Sequence, residues 1–414
     1  MDSVSFVMLS LVLCTIWDPR RTKSATVQQN MLSGVDLKIL SDRIGKNTVV
    51  SSFAFRLPLC KLAAAASAAT RHEIISILDI YTLRETKTCY SNLFPALSSV
   101  LETDLTMLNK IYVNYTDEID DHFVLGSQAY GITVSKIGYN YRRDAVAYVN
   151  REFSSKTYMR IQDILDSNDI DENSSILIVN GFHYKGTWES PFERASTKSA
   201  QFRSGKETLK IEMMQKTTQC LFLTVPSEKF KAISLHLSQF GMVITFVLPY
   251  RNSSIIDLLN TMSRNPNFIE VLDKKMEWKV VNIAVPKFKV KTCLDWTPYL
   301  KQIGLNLTTH MDNTGLNGIL KDKDKGPNMY VSKAKQKVFV EIDESPRMNK
   351  PVGLAESPQV IPELERPEEP PVHLEDFTVD GPFFFTVTIT VHHGKRNLAK
   401  KTFQLFKGIY YGPE

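Results

Sequence analysis

Leu177-Ile178-Val179-Asn180-Gly181-Phe182-His183-Tyr184-Lys185-Gly186-Thr187-Trp188-Glu189-Ser190-Pro191-Phe192 is the stretch on which the reading of the fold turns. The apolar run from Ile176 to Tyr184 has the length of a buried strand, and Lys185-Gly186 closes it. Trp188, Pro191 and Phe192 then set large aromatics beside a strand end, where such rings are more often structural anchors than ligand platforms.

Helical patterning dominates the first third of the chain. Thr48 to Ile80 reads as helical, in one run that ends near Thr70 and a second from Glu73 to Ile80, with Pro58 marking a kink or a start, and Ala145 to Phe153 reads as a further helix. Met107 to Tyr112 reads as a short strand, and Met242 to Leu248, bounded by Gly241 and Pro249, as a strand buried on both faces. Ser254 to Asp257 forms a capping box, and Thr297-Pro298 a cap with an N1 proline before a helix that Gly304 ends. Val280 to Val290, Val338 to Ile342, Phe383 to Val391 and Phe403 to Ile409 are strands, with Phe383, Phe385, Val387, Ile389 and Val391 on one face. Helices first and strands later predict an α+β domain built on large, mostly antiparallel sheets.

Between two of these strands lies Ser345 to Asp376, with Pro346, Pro351, Pro358, Pro362, Pro367, Pro370 and Pro371 set among Glu356, Glu363, Glu365, Glu368, Glu369 and Glu375. That composition cannot bury a core, so an exposed, partly extended loop is expected. A loop of this length inside a compact domain is uncommon and usually carries function.

The 414-residue chain shows no earlier linker and no repeat, so one large domain is expected. Its hydrophobic content of 43% supports a sizeable core, and its mild net charge of +5, with the basic residues scattered, argues against nucleic acid. The apolar run from Val4 to Trp17 is too short to span a membrane and reads as a secretory signal over residues 1–25, leaving 26–414 as the domain. Four sequons, at Asn114, Asn173, Asn252 and Asn306, lean the same way, toward a glycosylated protein of the extracellular space. Cys60, Cys89, Cys220 and Cys293 are widely spaced, so no metal site or CxxC chemistry is expected; in a secreted chain they could form disulfides, while Cys60, in an apolar helical stretch, reads as a buried thiol.

Catalytic patterns fail one by one. His72-Glu73-Ile74-Ile75-Ser76 opens like a zinc-protease helix, but Ser76 stands where the second imidazole is required. There is no GxSxG elbow, no phosphate-cradling loop and no dinucleotide fingerprint, and His392-His393 on a strand would point to opposite faces. The reading is a non-enzyme that needs no cofactor. Lys333, Lys335 and Lys337 alternate along a strand and Arg142-Arg143 form a pair, patterns that read as solvated faces and not as a glycosaminoglycan site.

The Leu177 to Phe192 passage resembles the serpin signature, roughly NAxYFKGxWxxPF, with Lys185, Gly186, Trp188 and Phe192 at its defining positions. Met213-Met214-Gln215, Val247-Leu248-Pro249, Val285-Pro286-Lys287-Phe288-Lys289, Leu316-Asn317-Gly318-Ile319, Phe377 to Phe385 and Phe406-Lys407-Gly408 follow in the family's order. The resemblance spans about residue 30 to the C-terminus. It implies three sheets, about nine helices, a monomer, and a reactive-centre loop equivalent at residues 345–376. It also implies an extracellular serine protease as partner, and a mechanism in which the cleaved loop inserts as a new central strand of the main sheet.

This chain departs from the pattern where insertion begins. Aligned on Lys337 and Ile342, the hinge reads Glu344-Ser345-Pro346-Arg347-Met348-Asn349-Lys350-Pro351, with Pro346 in the family's glycine position, Arg347 in its threonine position and Pro351 where a small residue belongs. Each proline would leave a ladder carbonyl without its donor, at about 1–3 kcal/mol. Arg347 buried unpaired would add on the order of several kcal/mol. Ser51, Ser52 and Asn180 match the polar cluster under the main sheet, with Ser52 in place of the usual proline and Gln336 in place of a histidine. Family spacing puts the scissile position near Val360, whereas Arg366 and Lys350 are each followed by proline, which blocks trypsin-like cleavage. A non-inhibitory binding, carrier or substrate-like decoy role is therefore expected, with extracellular protease inhibition as the alternative.

Overall fold

The computed structural model describes residues 34–78, 104–128, 130–205, 207–238, 241–265, 267–344, 373–393 and 399–413. The apolar N-terminal run, Cys89, and the hinge and loop from Ser345 to residue 372 lie outside the described residues. Eight helices and fourteen strands are found among those described.

The main sheet has five strands in the order β10 (Phe288–Asp295), β11 (Val331–Ile342), β4 (Ile176–Gly186), β2 (Leu105–Asn114) and β3 (Ile132–Ile137). β4 is nearly wholly buried because both its faces are covered. Phe182 and Tyr184 enter the large core, while Leu177 and Val179 pack with Val149 and Phe153 of the Arg142–Lys156 helix that lies across the front. Gly181 permits this approach, since a Cβ there would come within 2.6 Å of the Phe153 ring.

The other strands form one nine-stranded surface. Its path is β1 (Thr48–Val50), β14 (Ala399–Tyr410), β13 (Phe383–His393), β8 (Met242–Pro249), β7 (Phe230–His236), β6 (Glu207–Val225), β9 (Glu277–Pro286) and β12 (Leu374–Thr378), with β5 (Lys198–Ser204) also on β6. The fold is the expected α+β arrangement of three sheets; the two smaller ones run together because β6, 19 residues long, belongs to both. Most pairings are antiparallel, the exceptions being β11 with β4, β2 with β3 and β12 with β9.

Local expectations hold or fail for identifiable reasons. The capping box at Ser254 and Asp257 is formed in both directions. Pro58 sits inside the continuous Ser52–Ala65 helix, which Ser51 caps through its hydroxyl. Thr48–Val50 is not helical, because it pairs with β14. The single strand expected over Val280 to Val290 is two strands in different sheets, broken at Lys287. Trp296, not Thr297, is the N-cap of the Thr297–Gln302 helix, so Pro298 falls one position later. Lys185-Gly186 closes β4 as expected, being its last two residues.

Candidate functional site

The site is the seam between β4 and β11, two parallel strands from distant parts of the chain. They are hydrogen-bonded to each other from Val331 opposite Ile176 to Ile342 opposite Gly186, with a single irregularity near Val331. Beneath the seam Phe182, Tyr184, Val338, Val340 and Ile342 are almost fully buried. Any strand entering here has to part these two and present its alternate side chains to that apolar layer.

At the C-terminal end of β11 the chain is anchored just before the hinge. Trp188, 1% exposed, donates its indole N–H to the Asp343 carbonyl at 2.7 Å and meets Phe192 edge-to-face with ring centroids 5.1 Å apart. Both aromatics are thus core anchors. Lys185 pairs with Asp343 at 3.6 Å, and a Cβ on Gly186 would meet Ile342 at 2.6 Å. Glu344, the first hinge residue, is buried; Lys287 holds it at 3.0 Å and the Thr197 hydroxyl donates to it at 2.6 Å. Burial would raise its carboxyl pKa, but those two partners hold it below the ordinary value.

Three residues earlier, on the outward face of β11, Glu341 gathers an imidazole and two cations. His183 of β4 lies at 3.0 Å, Lys289 of β10 at 2.9 Å and Arg160 at 3.1 Å. The His183 bond, then Lys289 and Arg160, hold this carboxyl down at about 2 against the effect of burial. This cluster was not legible from the sequence, because its four residues come from four separate segments. Only the register of β10 on β11, which sets Lys289 opposite Glu341, could have pointed to it.

Of the expected polar cluster, three members come together. The Ser51 N–H donates to Gln336 Oε1 at 3.0 Å, and Gln336 Nε2 donates to the Ser51 carbonyl at 2.8 Å. Asn180 sits in register with Gln336 and donates to Asn109 at 2.6 Å. Ser52 does not belong: its hydroxyl donates at 2.7 Å to Asp36, which is ion-paired with buried Lys407 at 3.1 Å. A helical rotation of about 100° per residue turns it away from its neighbour.

The reading of Lys333, Lys335 and Lys337 as a solvated face is also corrected. Lys335 pairs with Asp169 at 2.6 Å, Lys333 with Asp295 at 2.9 Å and Asp169 at 3.2 Å, and Lys337 donates to the Gln162 and Asp163 carbonyls. Burial would lower the Lys333 and Lys335 ammonium pKa values, but their carboxylate partners hold both above the ordinary lysine value. Arg142 and Arg143 are exposed as expected. Among the sequons Asn173, Asn252 and Asn306 are exposed, whereas Asn114 is half-buried with its Oδ1 out of contact with solvent. Cys60 and Cys220 are buried and Cys293 lies at the surface. Ser345, Pro346, Arg347, Asn349, Pro351, Val360 and Arg366 lie outside the described residues.

No helix among the described residues is long and apolar enough to cross a membrane. The family model for the serpin (serine protease inhibitor) matches residues 35–393. Alaserpin of Manduca sexta is 26% identical over 347 residues, 83% of this chain and 85% of that protein. Antitrypsin of Bombyx mori is 25% identical over 319 residues, 76% and 79% of the two chains. Human thyroxine-binding globulin, solved in complex with its ligand, superposes with a TM-score of 0.75 at 17% identity, over 95% of this chain and 99% of that one. A parallel β4/β11 seam under a covering helix, the Trp188 anchor and a family model spanning most of the chain have one meaning: this protein belongs to the serpin family.

Proposed function

We propose that this serpin is a secreted glycoprotein that acts by binding, carriage or as a substrate-like decoy, and does not trap proteases by loop insertion. The observation that carries the reading is the hinge placed against the seam. The passage that follows Glu344 would have to lie between β4 and β11, over an apolar layer formed by Phe182, Tyr184, Val338 and Val340. There Pro346 and Pro351 supply no ladder donor, and Arg347 would meet aromatic and aliphatic carbon where the family has threonine. Several kcal/mol thus oppose the first step of insertion, while hydrolysis of any acyl-enzyme continues. A family member solved with thyroxine is consistent with carriage on this fold.

The second reading is inhibition of an extracellular serine protease, favoured by the names of relatives such as antitrypsin and by the ordered anchoring of Asp343 and Glu344. Cleavage of the loop separates the two. Under the first reading, loop-cleaved protein melts within a few degrees of intact protein, and trypsin-like or elastase-like proteases yield cleaved product with no detergent-stable complex. A large upward melting shift, or a covalent complex at near-equal stoichiometry, establishes the inhibitor. Secretion is supported by three exposed sequons, and glycosidase treatment of protein expressed in a eukaryotic host tests it.

A further inference from the structure

We infer that the outer face of the Arg142–Lys156 helix, with Tyr115 beside it, is a docking surface for an extended acidic segment of another protein, one whose carboxylates alternate with apolar side chains. Eleven large hydrophobic residues are exposed among the described residues, and five of them, including every exposed tyrosine, stand here: Tyr115, Tyr141, Tyr148, Tyr158 and Met159. A scattered exposed apolar residue needs no explanation, but a concentration of this kind on one surface marks a contact site. Tyr141, Tyr148 and Arg151 recur at helical spacing on the side turned away from buried Ala145, Val149 and Phe153. Tyr115 reaches the same surface from the end of β2, since a Cβ on Gly138 would meet Tyr141 at 3.3 Å and Tyr115 at 3.4 Å.

The helix gives up local stability to carry these residues. Tyr141 is its N-cap and makes no side-chain capping bond, where Ser, Thr, Asp or Asn would satisfy an orphan N–H. Arg142 and Arg143 put two cations in the first turn, at the positive end of the helix dipole, and tyrosine at a solvent position is a poorer helix former than Ala, Glu or Lys. No contact within the described fold offsets these choices: Arg142, Arg143 and Arg151 are exposed, and none has a carboxylate partner among the described residues. The helix has two carboxylates of its own, and one of them, Glu152, is held by Lys110 at 2.6 Å and Lys156 at 3.1 Å. Asp144 alone is left against three guanidinium groups, so the face is positive. A guanidinium fork takes a carboxylate in two parallel hydrogen bonds, and a tyrosine offers a rigid ring with a polar tip at low entropic cost, which is why Arg and Tyr lead at protein contact sites. Guanidinium groups set among tyrosines suit carboxylates spaced by apolar side chains better than the unbroken charge of a sulfated glycan, which has no apolar surface to cover the rings.

The surface is tested on intact full-length protein, and the outcome is independent of whether residues 345–376 insert. A phage-displayed library of random peptides is selected on the wild-type protein, and the enriched sequences are synthesised with a fluorophore. Their binding to wild type, Tyr148→Ser and Arg151→Ser is then titrated by anisotropy, with heparin titrated in parallel. The expected peptides are rich in Asp and Glu with apolar residues between them, and their Kd rises about tenfold or more in each variant. Added salt is expected to weaken binding to wild type, and to weaken it less in Arg151→Ser. If Tyr148→Ser gives no folded protein, Tyr141→Ser is read in its place. Enrichment of neutral or basic peptides, equal affinity for wild type and variants, or no enrichment at all overturns the inference. Heparin binding that depends on Arg151 and ignores Tyr148 shows a polyanion site in place of a protein contact, and overturns it as well.

Discussion

Replacing Trp188 probes the anchor that precedes the hinge, and two substitutions separate its parts. The ring is 1% exposed, stacks edge-on to Phe192 at 5.1 Å, has the Lys216 ammonium 5.9 Å above it, and donates to the Asp343 carbonyl. Trp188→Ala deletes the ring and leaves a cavity, so a loss of about 3–5 kcal/mol is expected. Trp188→Phe keeps most of the aromatic contact but removes the N–H. The Asp343 carbonyl is only part-buried, so water replaces some of the lost bond and the expected cost is about 1–2 kcal/mol. Equilibrium urea unfolding followed by far-ultraviolet circular dichroism reads both, with the slope m as a check that the transition is of the same kind. A Trp188→Ala loss below about 1 kcal/mol at unchanged m, or a Trp188→Phe loss equal to it, would show that the anchor reasoning is wrong.

Glu341 makes a pH prediction. Its folded pKa of about 2 lies below the ordinary glutamate value, so its stabilisation is present above about pH 4.5 and is lost as the pH falls toward 2. The size is no more than about 3 kcal/mol, and Glu341→Gln should flatten the stability profile in that window; an identical acid limb in the variant would refute it. Gly241→Ala should cost about 2 kcal/mol or more, because Gly241 has φ of +71° and a Cβ would press on the Thr390 carbonyl at 2.6 Å. A melting temperature equal to wild type would count against this. Peptide mapping should find glycans at exposed Asn173, Asn252 and Asn306 and none at half-buried Asn114; an occupied Asn114 contradicts the burial argument. The loop expected to run to Asp376 ends sooner, because Leu374 to Asp376 pair with β9 as part of β12, so limited proteolysis should nick first between Met348 and His373, and cleavage elsewhere ahead of it would argue against an exposed loop.

The features legible in the sequence are those set by neighbours along the chain. The Ile176 to Tyr184 strand, the Ser254 capping box, the aromatic anchors at Trp188 and Phe192 and the break in the hinge pattern at Pro346-Arg347 are written in local residue order. Periodicity, turn chemistry and motif spacing act over a few residues, and those signals survive without coordinates. Which charges meet is fixed by the folded arrangement. Lys335 and Asp169 are 166 residues apart, and His183 and Glu341 158 apart, so nothing in either neighbourhood marks them as partners. The same holds for Ser52, drawn to Asp36 and Lys407, and for Thr48–Val50, whose local pattern allowed a helix until β14 offered its free edge. Residue type states that an ammonium needs a counter-charge, but strand register and the path of the chain between the front helix and β4 select the carboxylate that supplies it.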